Sequence, residues 1–501
     1  MRSIKKPWVW LWVFFFVVLS LRLFFAFQTQ YMDYDAYFAL RQIEHISKTG
    51  MPLFNDPLSY QGRTFLFTPA YYYFLAFFSL FMPITIAVKL IPNILASSII
   101  FIIYFFSHKI TKNKEISLVT SFLSVFIPVW FLDINTLTTD YFSIIITFII
   151  LLLFLNLENK NHLNWSIFLL ILLVFSSPLV FILVLGLLIY VAICRIEQKQ
   201  VRTGRIEWVL FALFLSVWAN LLIYKNALVN HGIRVIWKNL PQTVLREYFI
   251  NLSFPQMFAY IGILPLILGV LAMYFAFHER KNKIVFLITA ISSLIFVLLF
   301  FTLIELKTGL LILSLLMVIA SSFTLKTFYL YFHKTKISFI YRFLLIFFVS
   351  IFLLSSGFSS VKAARDSLKK TPTESEVDSF IWLKEHSNPS ETTLITADKG
   401  YILNYYSNTK NIADNNFLLI NDVSTRLQDI RIIYASRLES PAAEKLNYYG
   451  VDYIYLSDSI KDEFNIKDIV YTKDDPLCFD LLYGSNIGEP MIEIYEYRCG
   501  K

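Results

Sequence analysis

Asp33-Tyr34-Asp35-Ala36-Tyr37-Phe38-Ala39-Leu40-Arg41-Gln42-Ile43-Glu44-His45 follows closely on the first long apolar run of the chain, Trp8 to Phe27. Its apolar positions Tyr37, Leu40 and Ile43 recur every three residues, the pattern of a helix lying on a membrane surface. Two carboxylates precede that helix, where the N-terminal dipole favours them. A plain N-cap would account for Asp35. An acid at the lip of a bilayer is costly unless solvated or used, so the pair also reads as a candidate site.

Working outward, the rest of the chain is strongly apolar. Of its 501 residues 57% are hydrophobic and 16% charged, with mean hydropathy +0.60. Soluble domains carry about 25% charged residues, so the chain reads as a polytopic α-helical membrane protein. Fifty Phe and 29 Tyr agree, because aromatic rings crowd spans and interfaces.

Apolar runs measured against a span of about 17–25 residues predict eleven crossings. They fall near residues 8–27, 88–107, 116–132, 141–156, 164–177, 178–194, 206–224, 256–277, 284–303, 308–325 and 338–357. The first has no small-residue cleavage site after it and is expected to be retained rather than removed as a signal peptide. Pro178 divides the 164–194 run, which alternatively forms one kinked element. Tyr71–Met82 is apolar but short, and is expected to lie in the outer leaflet. With that assignment the basic loops around Lys109, Lys160, Arg202, Arg280 and Lys326 all fall on one side, which the positive-inside rule makes the cytoplasm. The N-terminus is then cytoplasmic, in a multi-pass plasma-membrane protein. The outer face receives the 29–87 loop, Asp133–Asp140, the 225–255 loop and everything after residue 358.

Two domains follow: a transmembrane module over 1–358 and a small extracytoplasmic α/β domain over 359–501. The latter carries 16 Lys and Arg against 23 Asp and Glu, whereas residues 1–358 carry 28 against 13. The net charge of +8 therefore records basic inner loops, not a nucleic-acid surface. In the C-terminal domain Val377–His386 and Gly400–Tyr406 read as helices; Thr392–Thr396, Asp452–Leu456 and Met491–Tyr497 read as strands. Cys478 and Cys499 form a disulfide if that domain faces an oxidising space, and otherwise are two free thiols.

A second acidic stretch, Asp133-Ile134-Asn135-Thr136-Leu137-Thr138-Thr139-Asp140, separates two spans on the same predicted face. Carboxylates from two hairpins can converge on a cation or activate a nucleophile; a helix cap for Asp140 is the plainer alternative. In the 225–255 loop Arg234, Lys238 and Arg246 could hold a phosphate, with Glu247 as a further acid, and a solvated loop explains them equally well. No Walker-type loop, Gly-x-Ser-x-Gly elbow or Cys/His cluster of metal spacing is present.

The order of these elements resembles the C-type membrane glycosyltransferases, which use lipid-phosphate-linked sugars, and most of all the catalytic subunit of oligosaccharyltransferase. Asp35-Ala36-Tyr37-Phe38-Ala39 with Asn55-Asp56-Pro57-Leu58-Ser59-Tyr60-Gln61-Gly62-Arg63 is similar to that family's acidic first loop. Lys109–Asp140 is similar to its next two spans and second acidic motif. Leu394-Ile395-Thr396-Ala397-Asp398-Lys399-Gly400-Tyr401 and Asn404–Asn416 resemble its segment after the last span. The resemblance implies Asp35 and Asp140 as catalytic acids or ligands of a divalent cation such as Mg2+ or Mn2+, Asp33 as their assistant, and Glu247 as a later acid. Three departures stand out, the first being that the second acidic motif keeps one carboxylate rather than two. The family's Trp-Trp-Asp-Tyr-Gly reads here Thr396-Ala397-Asp398-Lys399-Gly400, which removes the rings expected to read a protein sequon. The basic residue the family places near Lys307–Leu311 is missing unless Lys307 substitutes.

The expectation is therefore an inverting membrane glycosyltransferase. It would take a polyprenyl-phosphate or -diphosphate sugar and pass the sugar to an extracytoplasmic glycolipid, glycan or protein. Asp35, Asp33 and Asp140 carry the chemistry, and Arg63, Arg246, Glu247 and Tyr37 contact substrate, with the arginines offsetting the departing phosphate. The alternatives are a flippase or transporter of lipid-linked glycans, for which Arg22 and Asn220 are the polar mid-span candidates, and a non-catalytic envelope protein on the same scaffold.

Overall fold

A computed structural model describes residues 6–64, 66–231, 254–278, 282–334, 338–417, 420–485 and 491–499. Among them six helices are long and apolar enough to cross a bilayer: Pro7–Ala26, Ile84–Thr111, Thr203–Ile223, Lys283–Phe300, Leu306–Phe332 and Ile346–Leu368. Pro255–Ile261 and Ile263–His278 meet at 83° and make a seventh if they form one span. They turn at Gly262, whose φ of +94° is easy only for a residue without Cβ. Asp140–Phe154, Lys160–Val174 and Val180–Ile196 are apolar but shorter. The Leu306–Phe332 span is 94% buried over its most apolar stretch, against 33% for Pro7–Ala26. The first runs through the middle of the bundle and the second along its edge.

Several boundaries differ from the sequence expectation for identifiable reasons. The run at 116–132 is a helix only over Lys114–Leu123, started by the Asn113 side chain accepting from the Glu115 and Ile116 amides. A 3-10 turn at Pro128–Phe131 follows, and Ile127 before it is extended, as a residue preceding proline is pushed to be. The helix beginning at Ser338 passes through a π turn at Leu353–Gly357 and continues to Leu368, so helical backbone runs across residue 358. The Tyr71–Met82 stretch is a ten-residue helix, Ala70–Ser79, with Tyr71, Leu75 and Ala76 buried.

In the first loop β1 (Asn55–Asp56) pairs antiparallel with β2 (Arg63–Thr64). After residue 390 a five-stranded sheet forms from β3 (Thr392–Leu394), β4 (Lys410–Asn411), β5 (Val451–Ser457), β6 (Phe479–Gly484) and β7 (Ile492–Tyr497), in the order β4-β3-β5-β7-β6. The pairs β3–β4 and β3–β5 are parallel; β5–β7 and β6–β7 are antiparallel. Cys478 and Cys499 are joined by a disulfide, with Cα atoms 4.9 Å apart, which clips the start of β6 to the end of β7.

The sheet domain is docked on the first loop. The Tyr60 amide donates to Asn411 Oδ1 at 2.8 Å, its hydroxyl donates to the Asp414 carbonyl at 2.7 Å, and the Asn411 amide donates to the Leu58 carbonyl at 3.0 Å. Tyr60 holds φ of +51°, an uncommon backbone state for a non-glycine residue that these bonds fix. Tyr34 donates to Glu376 at 2.7 Å and Tyr405 to Glu44 at 2.6 Å. Gly400 packs so closely that a Cβ would sit 2.5 Å from the Ala413 carbonyl oxygen.

Candidate functional site

Three loops meet where the first apolar helix ends. The Asp33 amide donates to the Asn135 carbonyl at 3.0 Å, and Thr136 donates its hydroxyl to Asp33 Oδ2 at 3.1 Å. These bonds stitch the first acidic stretch to the second. Arg22 anchors the second stretch from below. Its guanidinium donates to Asn93 Oδ1 at 2.8 Å and also to the Trp130 carbonyl. Tyr141 donates to the Trp130 carbonyl too, at 2.9 Å. The mid-span arginine is thus spent on backbone carbonyls exposed by the 3-10 turn.

A third loop completes the group. Lys307 Nζ lies 3.2 Å from Asp133 Oδ2 and 3.7 Å from Glu305 Oε1. Thr308 donates to Asp140 Oδ2 at 2.6 Å and reaches Glu305 Oε2 at 3.4 Å. From the sheet domain Asn415 donates to Asp35 Oδ1 at 2.8 Å. The charges of Lys307 and Glu305 bear on both Asp35 and Asp140, so Asp33, Asp35, Asp133, Asp140 and Glu305 form one electrostatic neighbourhood. Asn135 is buried at 1% exposure within it, and among the described residues neither atom of its amide has a hydrogen-bond partner.

Burial pushes the Asp33 carboxyl up to about 6, with the Asp35 charge adding to the rise. Asp35 is also raised by its surroundings, against the Asn415 hydrogen bond and the Lys307 charge; its side chain still keeps open surface. A carboxylate that is set deep yet accessible, and ionises above its ordinary range, is suited to take a proton from a hydroxyl.

The structure thus brings Asp33, Asp35 and Asp140 together. Two expected substrate contacts lie elsewhere. Arg63 is buried, with its side chain 4% exposed, 3.3 Å from Asp414 Oδ2; it donates to the Asn416 carbonyl and sits 5.1 Å over the Tyr60 ring. A guanidinium held by a carboxylate in that seam fastens the loop to the sheet domain instead of meeting a phosphate. Tyr37 is 1% exposed, packed against the rings of Tyr405 and Tyr406 at 5.3 and 5.4 Å. Its position on the buried side of the Ala36–Thr49 helix makes it a packing residue. Arg246 and Glu247 lie outside the described residues.

Sequence reading passed over Asp133 in favour of Asp140, and missed Glu305 and Thr308. The available signal was Glu305-Leu306-Lys307, an acid and a base at the mouth of an apolar run. The loop was too short to stand out beside the longer outer ones. Asn415 carried no signal, since only the folded sheet domain brings it to Asp35.

No family model matches the sequence, and no curated protein matches it. Solved structures do resemble it. An apo oligosaccharyltransferase from Archaeoglobus fulgidus matches with TM-score 0.69 at 12% identity, over 91% of this chain and 70% of that one. ArnT from Cupriavidus metallidurans bound to undecaprenyl phosphate matches with TM-score 0.60 at 11% identity, over 98% of both chains. At these identities the likeness shows a shared fold. A further neighbour, the archaeal oligosaccharyltransferase AglB from Archaeoglobus fulgidus in complex with an inhibitory peptide and a dolichol-phosphate, matches with TM-score 0.67 at 13% identity, over 99% of this chain and 75% of that one. On this shared fold the acids of three loops meet beside the first helix end.

Proposed function

We propose that the chain is a membrane glycosyltransferase that moves a sugar from a polyprenyl-phosphate or -diphosphate donor to a hydroxyl acceptor on the outer face of the plasma membrane. The observation that carries this reading is the convergence of Asp35 with Asp133, Asp140 and Glu305 from separate loops. Neighbours of the same fold, crystallised or complexed with dolichol-phosphate and undecaprenyl phosphate, support the class of donor.

Asp35 takes the proton of the acceptor hydroxyl as its oxygen attacks the sugar C1. The bond from C1 to the phosphate oxygen breaks, and its electron pair leaves with the lipid phosphate. Asp140, held by Thr308, orients the acceptor. Asp33, beside Asp35, accepts from Thr136 and holds the first acidic stretch against the second. The geometry also weighs against a transporter: Arg22 is tied to backbone carbonyls and Asn93, and Asn220 donates to the Ser216 carbonyl of its own helix at 2.9 Å. Neither lines a relay.

Glycolipid analysis of cells lacking the chain tests the reading. A lipid-linked sugar is expected to accumulate while a glycosylated product disappears. Complementation with Asp35→Asn or Asp140→Asn is expected to leave transfer lower by about 10²–10⁴-fold, the usual size of a lost acid–base group. An unchanged glycolipid profile in the deletion, or full complementation by both variants, rules the enzyme out.

A further inference from the structure

Lys307 opens the Leu306–Lys334 helix in the midst of acids delivered by three loops. Its ammonium is in ion-pair contact with Asp133 and Glu305, and Asp35 and Asp140 lie within its electrostatic reach. The remaining acids are served by neutral donors: Thr308 for Asp140, Asn415 for Asp35, Thr136 for Asp33. Each carboxylate therefore already has a protein donor on one oxygen.

A divalent cation in an oxygen site asks for something different, with about six oxygens, several from carboxylates, turned on one point. The described residues do not offer that here. The one group of three acid, Cys or His side chains with ligand atoms within 4.8 Å of one another is Asp475, Cys478 and Cys499, whose sulfurs are committed to the disulfide. An ammonium among the acids would also repel an incoming dication. The arrangement does not fit Mg2+ or Mn2+ held by Asp35 and Asp140.

We infer that Lys307 is the resident cation of this site, a fixed charge supplied by the chain where a divalent metal would otherwise sit, so that transfer proceeds without metal. An ammonium has three N–H donors; contacts to Asp133 and Glu305 engage two directions and leave a third for a phosphate oxygen. As the C1–oxygen bond breaks, that donor meets the charge gathering on the leaving phosphate without surrendering its proton. The proton balance closes through Asp35. The catalytic part of this inference rests on the glycosyltransferase reading; the exclusion of metal by Lys307 does not.

The test uses the full chain in detergent micelles with Mn2+ alone as the probe, followed by electron paramagnetic resonance. Wild type is expected to leave Mn2+ free. Lys307→Met is expected to bind it at least about tenfold more tightly, because affinity follows the net charge of the donors, and adding Asp133→Asn is expected to abolish the gain. Lys307→Arg keeps the charge and is expected to behave as wild type, with unfolding temperatures confirming that each variant is folded. In membranes, a chelator is expected to leave wild-type transfer unchanged. Mn2+ binding by wild type that Asp35→Asn removes, equal binding by wild type and Lys307→Met, or transfer stopped by chelator and restored by Mn2+ would each overturn the inference. A chain with no transfer at all defeats the enzymatic reading and leaves the Mn2+ comparison to decide Lys307.

Discussion

Carboxylates occur in two settings in this molecule, and the ratio of acid to base separates them. In and beside the seam between the first loop and the sheet domain, three acids each meet a cation of their own. Asp56 lies 2.8 Å from Arg41, Asp414 lies 3.3 Å from Arg63, and Glu376 is paired with Lys399. Burial works against the ionised forms of Asp56 and Glu376, yet Arg41 and Lys399 hold both below the ordinary carboxylate range. At the candidate site five acids share one neighbourhood in which Lys307 pairs with Asp133 and Glu305, and burial pushes Asp33 and Asp35 up instead. Matched acids fasten; surplus acids are left available to a substrate. Acidity alone, which is what a sequence displays, does not distinguish the two.

The contrast can be broken most forcefully at Arg63. Arg63→Ala leaves the Asp414 carboxylate, with 0% of its side chain exposed, without its cation, a change that costs about 3–5 kcal/mol. Thermal unfolding in detergent is expected to show the loss. Arg63→Met with Asp414→Leu should recover most of it, since an apolar pair of similar volume replaces a buried ion pair at little cost. If Arg63→Ala leaves stability intact but abolishes transfer, the seam and the site have been confused.

Next in size is the disulfide, which closes a sequence separation of 21. Cys478→Ser with Cys499→Ser is expected to cost about 3 kcal/mol by the loop-closure argument, read as faster proteolysis within β6 and β7. Transfer by the surviving folded chain should be unaffected, because the pair lies in the sheet and not in the seam or the site.

The smallest effect is on pH dependence, and its sign separates the two settings. Asp33 ionises at about 6 in the folded chain and at about 3.9 when unfolded. Its contribution to stability is therefore full below about pH 4 and is lost as pH rises through about 6. Asp33→Asn should flatten that decline. Asp56 shifts downward, so its contribution is present above the unfolded value and is lost as pH falls through the folded one; Asp56→Asn should soften acid unfolding. Melting curves across pH 3–7 in both variants check the opposite signs.

Sequence made much of this legible, and stopped where chain separation began. Periodicity and charge located the Ala36–Thr49 helix and the apolar helices, because lipid forces apolar runs and inner loops collect lysine. The reading of β5 and β7 rested on alternation, whereas the two residues of β4 are too few to alternate. Asp35 and Asp140 could be singled out because each borders a span. The roles of Arg63 and Tyr37 could not, since both depend on residues more than 300 positions away: Asp414 and Tyr406. Lys307 lay in plain view, but its meaning depends on Asp133, brought to it by the fold.

The most direct measurement sets one acid of each kind side by side: sugar transfer per folded molecule for Asp35→Asn and Asp56→Asn, in membranes of cells lacking the native chain. The account predicts that Asp35→Asn unfolds no earlier than wild type yet transfers about 10²–10⁴-fold less. Asp56→Asn should unfold earlier while its folded fraction transfers at the wild-type rate. Near-normal transfer by folded Asp35→Asn would contradict it.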